Sequence, residues 1–208
     1  MCNNKTVILA NGAFPKSEKL LNILDDAKRI VCCDGAVNKL VQSGREPSII
    51  IGDLDSVNAD IKVKYSDKLI HIINQDTNDL TKAVNWCDSC SISDIVVLGA
   101  TGEREDHTIA NIALLSKYQE QINIKMLTDN GVFIPIQQTT VFESFEGQQV
   151  SIFSQNPEVE ISSEGLKYPL QDLKLESWWM GTLNESVSEE FTIRFKDNAR
   201  LIIYLLNK

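Results

Sequence analysis

The chain has 208 residues, 43% of them hydrophobic and 24% charged, with a formal net charge of −9. That size supports a sizeable core, in one large domain or two small ones. The acidic balance argues against broad nucleic-acid binding, which needs excess Lys and Arg to neutralise phosphates. No stretch approaches the roughly 18 to 20 continuous apolar residues of a membrane span, so no membrane partner is expected. The opening "MCNNKTVILANG" carries an apolar run that fits a first strand better than a signal peptide. A cytoplasmic protein is therefore expected. Of the cysteines, Cys87 and Cys90 have redox or half-zinc spacing, but Cys32 and Cys33 are adjacent and Cys2 stands alone. A structural role is expected for all five, as small packed hydrophobes.

In chain order, "TVILA" (6–10), "IVCCD" (30–34), "SIIIGD" (48–53), "LIHII" (69–73), "DIVVLG" (94–99) and "INIKML" (122–127) read as strands. Near-continuous apolar runs of this kind suit strands buried on both faces of a parallel sheet. The clearest intervening helix runs from Asp79 to Asp88, where Leu80, Ala83, Val84 and Cys87 recur on one face. Another starts near Asp106 and is expected to turn Ile109, Ile112 and Ala113 inward. Strand–helix alternation predicts an open, mostly parallel α/β sheet over residues 1–129.

After Asp129-Asn130-Gly131 the period falls to two. In "EFTIRFK", Phe191, Ile193 and Phe195 point one way, while Thr192, Arg194 and Lys196 point the other. "TVFESF", "QVSIFS" and "RLIIYLL" are further strands, and Lys196-Asp197-Asn198-Ala199 is read as a hairpin turn. Residues 130–208 are therefore expected to form a small all-β, sandwich-like domain.

Ligands of open α/β sheets gather at the carboxyl ends of the strands. Those ends carry Asp34, then Asp53 and Asp55, then Gln75 and Asp76, then "GATGEREDH" (99–107). If the third strand continues through Asp53 and Asp55, the two share a face about 7 Å apart at the backbone and can converge on a hard cation. The same residues also fit a turn in which Asp caps its own backbone. Asp76 and Asp79 fit the cap and first turn of the following helix, a role compatible with metal binding at Asp79. In the last segment Gly99 and Gly102 permit a tight loop, and Arg104 can grip phosphate oxygens. Asp106 can orient Arg104 or cap the helix; His107 is at least as readily structural as catalytic. These residues leave open a Mg²⁺-dependent phosphatase or kinase, or a non-catalytic nucleotide sensor.

"CCDGAVNKL" (32–40), "PSIIIGDLDSV" (47–57), "NQDTNDLTKAV" (74–84) and "VLGATGEREDHTIANI" (97–112), in this order, resemble the thiamin pyrophosphokinase family. The resemblance implies a homodimer that transfers the pyrophosphoryl group of ATP to thiamin, with the active site between subunits. It implies Mg²⁺ on Asp53, Asp55 and Asp79, with Asp34 and Asp76 supporting the rim. Arg104 and Asp106 would belong to the ATP side, and Gln75 would contact the thiamin pyrimidine. In the β domain the family's G-x-S-N-E segment reads Gly181-Thr182-Leu183-Asn184-Glu185, so a serine hydroxyl is missing at Leu183 while Asn184 is retained. Trp178 or Trp179 could stack on the cationic thiamin rings or simply be core. A second departure is Asn78, where the family usually has threonine.

Overall fold

The computed structural model describes residues 5–196 and 199–208. Asp197 and Asn198, the centre of the expected hairpin turn, lie outside the described residues, as does Cys2. The chain divides into two compact units, residues 1–112 with 121–129 and residues 113–120 with 130–208.

The first unit is an open α/β layer structure. Its strands are β1 (Thr6–Leu9), β2 (Arg29–Cys33), β3 (Ile49–Gly52), β4 (Leu69–His71), β5 (Asp94–Leu98) and β6 (Asn123–Leu127). They pair in parallel in the order β6-β5-β1-β2-β3-β4. All six expected strands are present. The central ones are buried along nearly their whole length, which is why their sequences are continuous apolar runs rather than alternating ones.

Alternate residues serve opposite faces. Val7, Leu9, Cys32, Ile50 and Val96 share one core cluster with Leu20 and Leu24 of α1 (Glu18–Asp25), Val37 and Leu40 of α2 (Ala36–Gln42) and Ile61 of α3 (Ala59–Lys64). Each such buried side chain stabilises the unit by roughly 1.5–3 kcal/mol. Helix α4 (Asp79–Ser89) packs on β1, β2 and β3 through Leu80, Ala83, Val84 and Cys87, as its apolar spacing predicts.

Helix α5 (Glu105–Tyr118) differs from its expected orientation in one respect: Ile109 is 57% exposed rather than inward. Burial along α5 rises toward Leu115, Ser116 and Tyr118. These residues belong to the second unit, where the Ser116 hydroxyl donates to Gln155 Oε1 at 2.6 Å and Gln155 Nε2 donates to the Ala113 carbonyl.

The second unit is all-β apart from residues 113–120 and a 3₁₀ turn at Trp178–Gly181. Its strands are β7 (Gly131–Ile136), β8 (Thr140–Glu143), β9 (Gln149–Ser154), β10 (Glu160–Glu164), β11 (Leu173–Lys174), β12 (Asn184–Glu185), β13 (Glu190–Phe195) and β14 (Leu201–Leu206). Antiparallel pairing gives the orders β12-β9-β14-β7 and β11-β10-β13-β8. The inner faces share one core: Val150, Ile152, Leu201 and Ile203 from one sheet meet Phe142, Ile161, Phe191 and Ile193 from the other. This is a sandwich.

Leu183, where the resemblance implies a serine, has φ 61° and is 77% exposed. A Cβ in the left-handed region costs about 1 kcal/mol, and an exposed leucine recovers little of it by packing. Leu183→Gly is expected to raise the stability of this unit by roughly 0.5 kcal/mol, part of the relief being offset by chain entropy. Equilibrium urea unfolding of the two proteins checks the sign.

Candidate functional site

The carboxyl ends of β1, β2, β3 and β5 surround a cavity of about 440 Å³. Asp34, Asp53, Asp55, Gln75, Asp79 and Arg104 all line it. Asp34 follows β2, and Asp53 and Asp55 follow β3. Their carboxylate oxygens lie within 4.8 Å of one another.

The convergence of Asp53 and Asp55 does not come from an extended strand. β3 ends at Gly52, and Leu54 between the two acids has φ 64°. The chain therefore turns at Leu54, whose side chain is buried, and the Asp55 N–H donates to Asp53 Oδ1 at 3.3 Å. The turn and the acid pair are one feature. Gly52 is required by close approach: a Cβ there would stand 2.9 Å from Asp34 Cβ and 3.3 Å from Asp79 Oδ1.

The acids differ in electrostatic setting. Asp34 is 5% exposed, with φ 43°, and its Oδ1 is buried without a hydrogen-bond partner among the described residues. Burial raises its pKa, against hydrogen bonds from the Gly35 backbone and the Ser56 side chain, and the charges of Asp79 and Asp55 push the same way as burial. Asp53 moves in the opposite direction. The Asp55 N–H and the Gln75 amide, whose Nε2 donates to Oδ2 at 3.3 Å, hold its carboxyl down, with a smaller contribution from Lys82.

Asp79 opens α4, and Lys82 Nζ donates to its Oδ1 at 2.9 Å. The Lys82 side chain is 4% exposed, so a buried ammonium stands beside the acidic rim. Lys82 is a site residue that the strand-end rule does not point to, because it lies within the helix. Its i, i+3 spacing from Asp79 was the signal that could have found it. Asn11 and Gly12, at the end of β1, also line the cavity and were missed, although the strand-end rule points to them equally.

Arg104 and Asp106 form an exposed fork, with Nη2 to Oδ2 at 2.5 Å and Nε to Oδ1 at 3.1 Å. The guanidinium, then the His107 N–H, bring the Asp106 pKa down to about 2. Asp106 therefore both orients Arg104 and accepts from the first turn of α5. His107 lines the cavity; Asp76 and Asp106 do not. The Asp76 N–H donates to Asn74 Oδ1 at 2.5 Å, and Asn78 rather than Asp76 caps α4. Gly99, which begins the loop after β5, has φ 66°, and a Cβ there would meet the Ala10 carbonyl at 2.7 Å.

Asn78 is tied on both ends of its amide. Oδ1 accepts from the Thr81 N–H at 2.9 Å and the Thr81 hydroxyl at 2.7 Å, while Nδ2 donates to Asn111 Oδ1 at 3.2 Å. Asn111 in turn donates to the Ala100 carbonyl at 3.0 Å. The amide thus caps α4 and links it to α5, a reach that threonine lacks. Asn78→Ala is expected to cost about 1 kcal/mol through the lost cap. Asn78→Thr should recover most of that, which parallel urea titrations would read.

The remaining expected residues, Trp178, Trp179 and Asn184, belong to the second unit. Trp179 is 75% exposed, whereas Trp178 is about half as exposed and lies 5.7 Å from the Phe153 ring. Asn184 is buried: Oδ1 accepts from Tyr168 N at 3.1 Å and Glu185 N at 2.9 Å, and Nδ2 donates to the Tyr168 carbonyl at 2.7 Å. Its amide holds its own loop together.

Two family descriptions match the chain: "Thiamin pyrophosphokinase, catalytic domain" over residues 20–126 and "Thiamin pyrophosphokinase, substrate-binding domain" over residues 131–204. Thiamin pyrophosphokinase 1 of Caenorhabditis elegans is 29% identical over 208 residues, covering 92% of this chain and 85% of the relative. Thiamine pyrophosphokinase 1 of Oryza sativa is 28% identical, covering 94% and 84%. Among solved structures, thiamin pyrophosphokinase from Candida albicans superimposes with a TM-score of 0.83 at 19% identity, covering 99% of this chain and 90% of that one. That likeness establishes the fold. The two family matches, one to each half of the chain, go further: the chain belongs to the thiamin pyrophosphokinase family.

Proposed function

We propose that this chain transfers the pyrophosphoryl group of ATP to the hydroxyethyl oxygen of thiamin, giving thiamin diphosphate and AMP. The observation that carries the reading is the convergence of Asp34, Asp53 and Asp55 on one cavity, with Arg104 and Lys82 beside them, in a member of this family. The thiamin hydroxyl oxygen attacks the β-phosphorus and gives its proton to a carboxylate of the rim, the bond between that phosphorus and the α–β bridging oxygen breaks, and AMP leaves with that oxygen. Such chemistry depends chiefly on positioning and charge neutralisation.

The donor set fits Mg²⁺: hard carboxylate oxygens within reach of one another, one of them buried and unpartnered on Asp34. Asp53 and Asp55 would hold the ion with Asp34, and Asp79, the third ligand expected from the family motif, borders them with one oxygen on Lys82. When bound, the ion neutralises triphosphate charge and favours a fixed orientation of the β-phosphate. Gln75 steadies Asp53, Lys82 fixes Asp79, and Arg104 turns from Asp106 toward the phosphate oxygens. The second unit, matched by the family's substrate-binding domain, would bind thiamin, with Trp179 offering an exposed aromatic face to the thiazolium charge.

We further infer a cytoplasmic homodimer, resting on the family resemblance; no described helix is long and apolar enough to cross a membrane. The test of the activity is chromatography of a reaction holding ATP, thiamin and Mg²⁺. Thiamin-dependent AMP and thiamin diphosphate in equimolar amounts are expected. ADP with thiamin monophosphate, or phosphate release without thiamin, would overturn the proposal.

A further inference from the structure

At the edge of the parallel sheet opposite the acidic rim, the amino ends of β1, β2 and β5 enclose a second cleft, of about 420 Å³. Lys5, Lys28 and Arg29 line it, and Asp94 is its only acid among the described residues. Asp94 accepts from Asn123 Nδ2 at 3.1 Å. None of the three cations is in an ion pair among the described residues; Arg29 donates only a long 3.4 Å bond to the Thr6 hydroxyl. Their backbones are adjacent: the Lys28 N–H donates to the Lys5 carbonyl at 3.1 Å, and Thr6 registers with Arg29.

A chain with a net charge of −9 has carboxylates in excess, yet these three cations stand together with one. Like charges gathered at one cleft, here Lys5 and Lys28 just before β1 and β2 and Arg29 at the start of β2, repel one another, and a bound anion would relieve that cost. The hydroxyls of Ser91 and Ser93 add neutral donors on the same wall, and Ser91 holds φ 57° there. A guanidinium with two ammonium groups suits the closely clustered, multiply charged oxygens of a phosphate group better than single carboxylates spread along a carbon chain. We propose that this cleft is a second anion site, which takes a small phosphate-bearing molecule through Lys5, Lys28 and Arg29 without a metal ion. The acidic rim repels such an anion unless a cation is present, so the two sites separate by their metal dependence.

Cys90 provides the readout. It caps the C-terminal end of α4, is exposed, and lines this cleft. Its neighbour Cys87 is buried, and burial pushes that thiol up to about 12, against the charge of Arg29.

The experiment follows alkylation of Cys90 by iodoacetamide, a neutral reagent, read by mass spectrometry on the Cys90 peptide. It is run in EDTA with inorganic pyrophosphate, with citrate, and with sodium chloride at matched ionic strength. Pyrophosphate is expected to slow alkylation several-fold, and citrate and chloride are not. Lys28→Gln/Arg29→Gln should abolish the protection and Asp53→Asn should keep it. Lys28→Glu, at an exposed position, gives the same answer should the double variant fold poorly. Absence of protection, equal protection by citrate or chloride, or protection that survives loss of the cations would overturn the proposal.

Discussion

Asp55→Asn is expected to lower turnover by a factor of about 100 to 1,000 at saturating Mg²⁺, while leaving the fold as stable as before or slightly more so. The asparagine keeps the shape but not the charge. Asp55 is exposed, and its N–H, which holds the turn to Asp53, is backbone and survives the change. Removing one charge from three carboxylates within 4.8 Å also relieves mutual repulsion. Steady-state kinetics with urea unfolding separate the two effects. Near-native turnover would remove Asp55 from the proposed metal set.

Asp79→Ala should behave differently, losing both turnover and roughly 3 kcal/mol of stability. The loss arises because Lys82, 4% exposed, would keep a buried ammonium without its partner, and breaking a buried pair costs about 3–5 kcal/mol. The lower end applies because the Lys82 charge also acts on Asp53, which can partly replace Asp79. Replacing both partners tests the cause. Asp79→Ala/Lys82→Met removes the uncompensated charge and fills the space with a similar unbranched chain, so it should recover more than half of the lost stability and none of the activity. A double variant as unstable as Asp79→Ala would mean that the cost lies elsewhere, for instance in the first turn of α4.

The contrast between these variants shows which features were legible in the sequence. The six parallel strands were readable because burial on both faces demands unbroken apolar runs, a local property. The rim was readable because strand ends in such a sheet share one edge. The route by which Asp53 and Asp55 meet was not, since a buried leucine at φ 64° looks in sequence like any strand residue. Lys82 was hidden for a related reason: a lysine on an amphipathic helix reads as solvated unless its long-range surroundings are known. Ile109 misled in the other direction, because apolar spacing predicts a buried face and says nothing about which surface covers it. The two-residue strands β11 and β12 exist only through pairing with β10 and β9, so no local pattern marks them.

The most direct test of the central claim is the fate of radiophosphorus placed at the β position of ATP, in a reaction with thiamin and Mg²⁺. Pyrophosphoryl transfer at the acidic rim predicts label in thiamin diphosphate, unlabelled AMP, and no transfer when EDTA removes the metal. Label retained in ADP would mean that the bond to the γ-phosphate had broken instead, and would contradict the account.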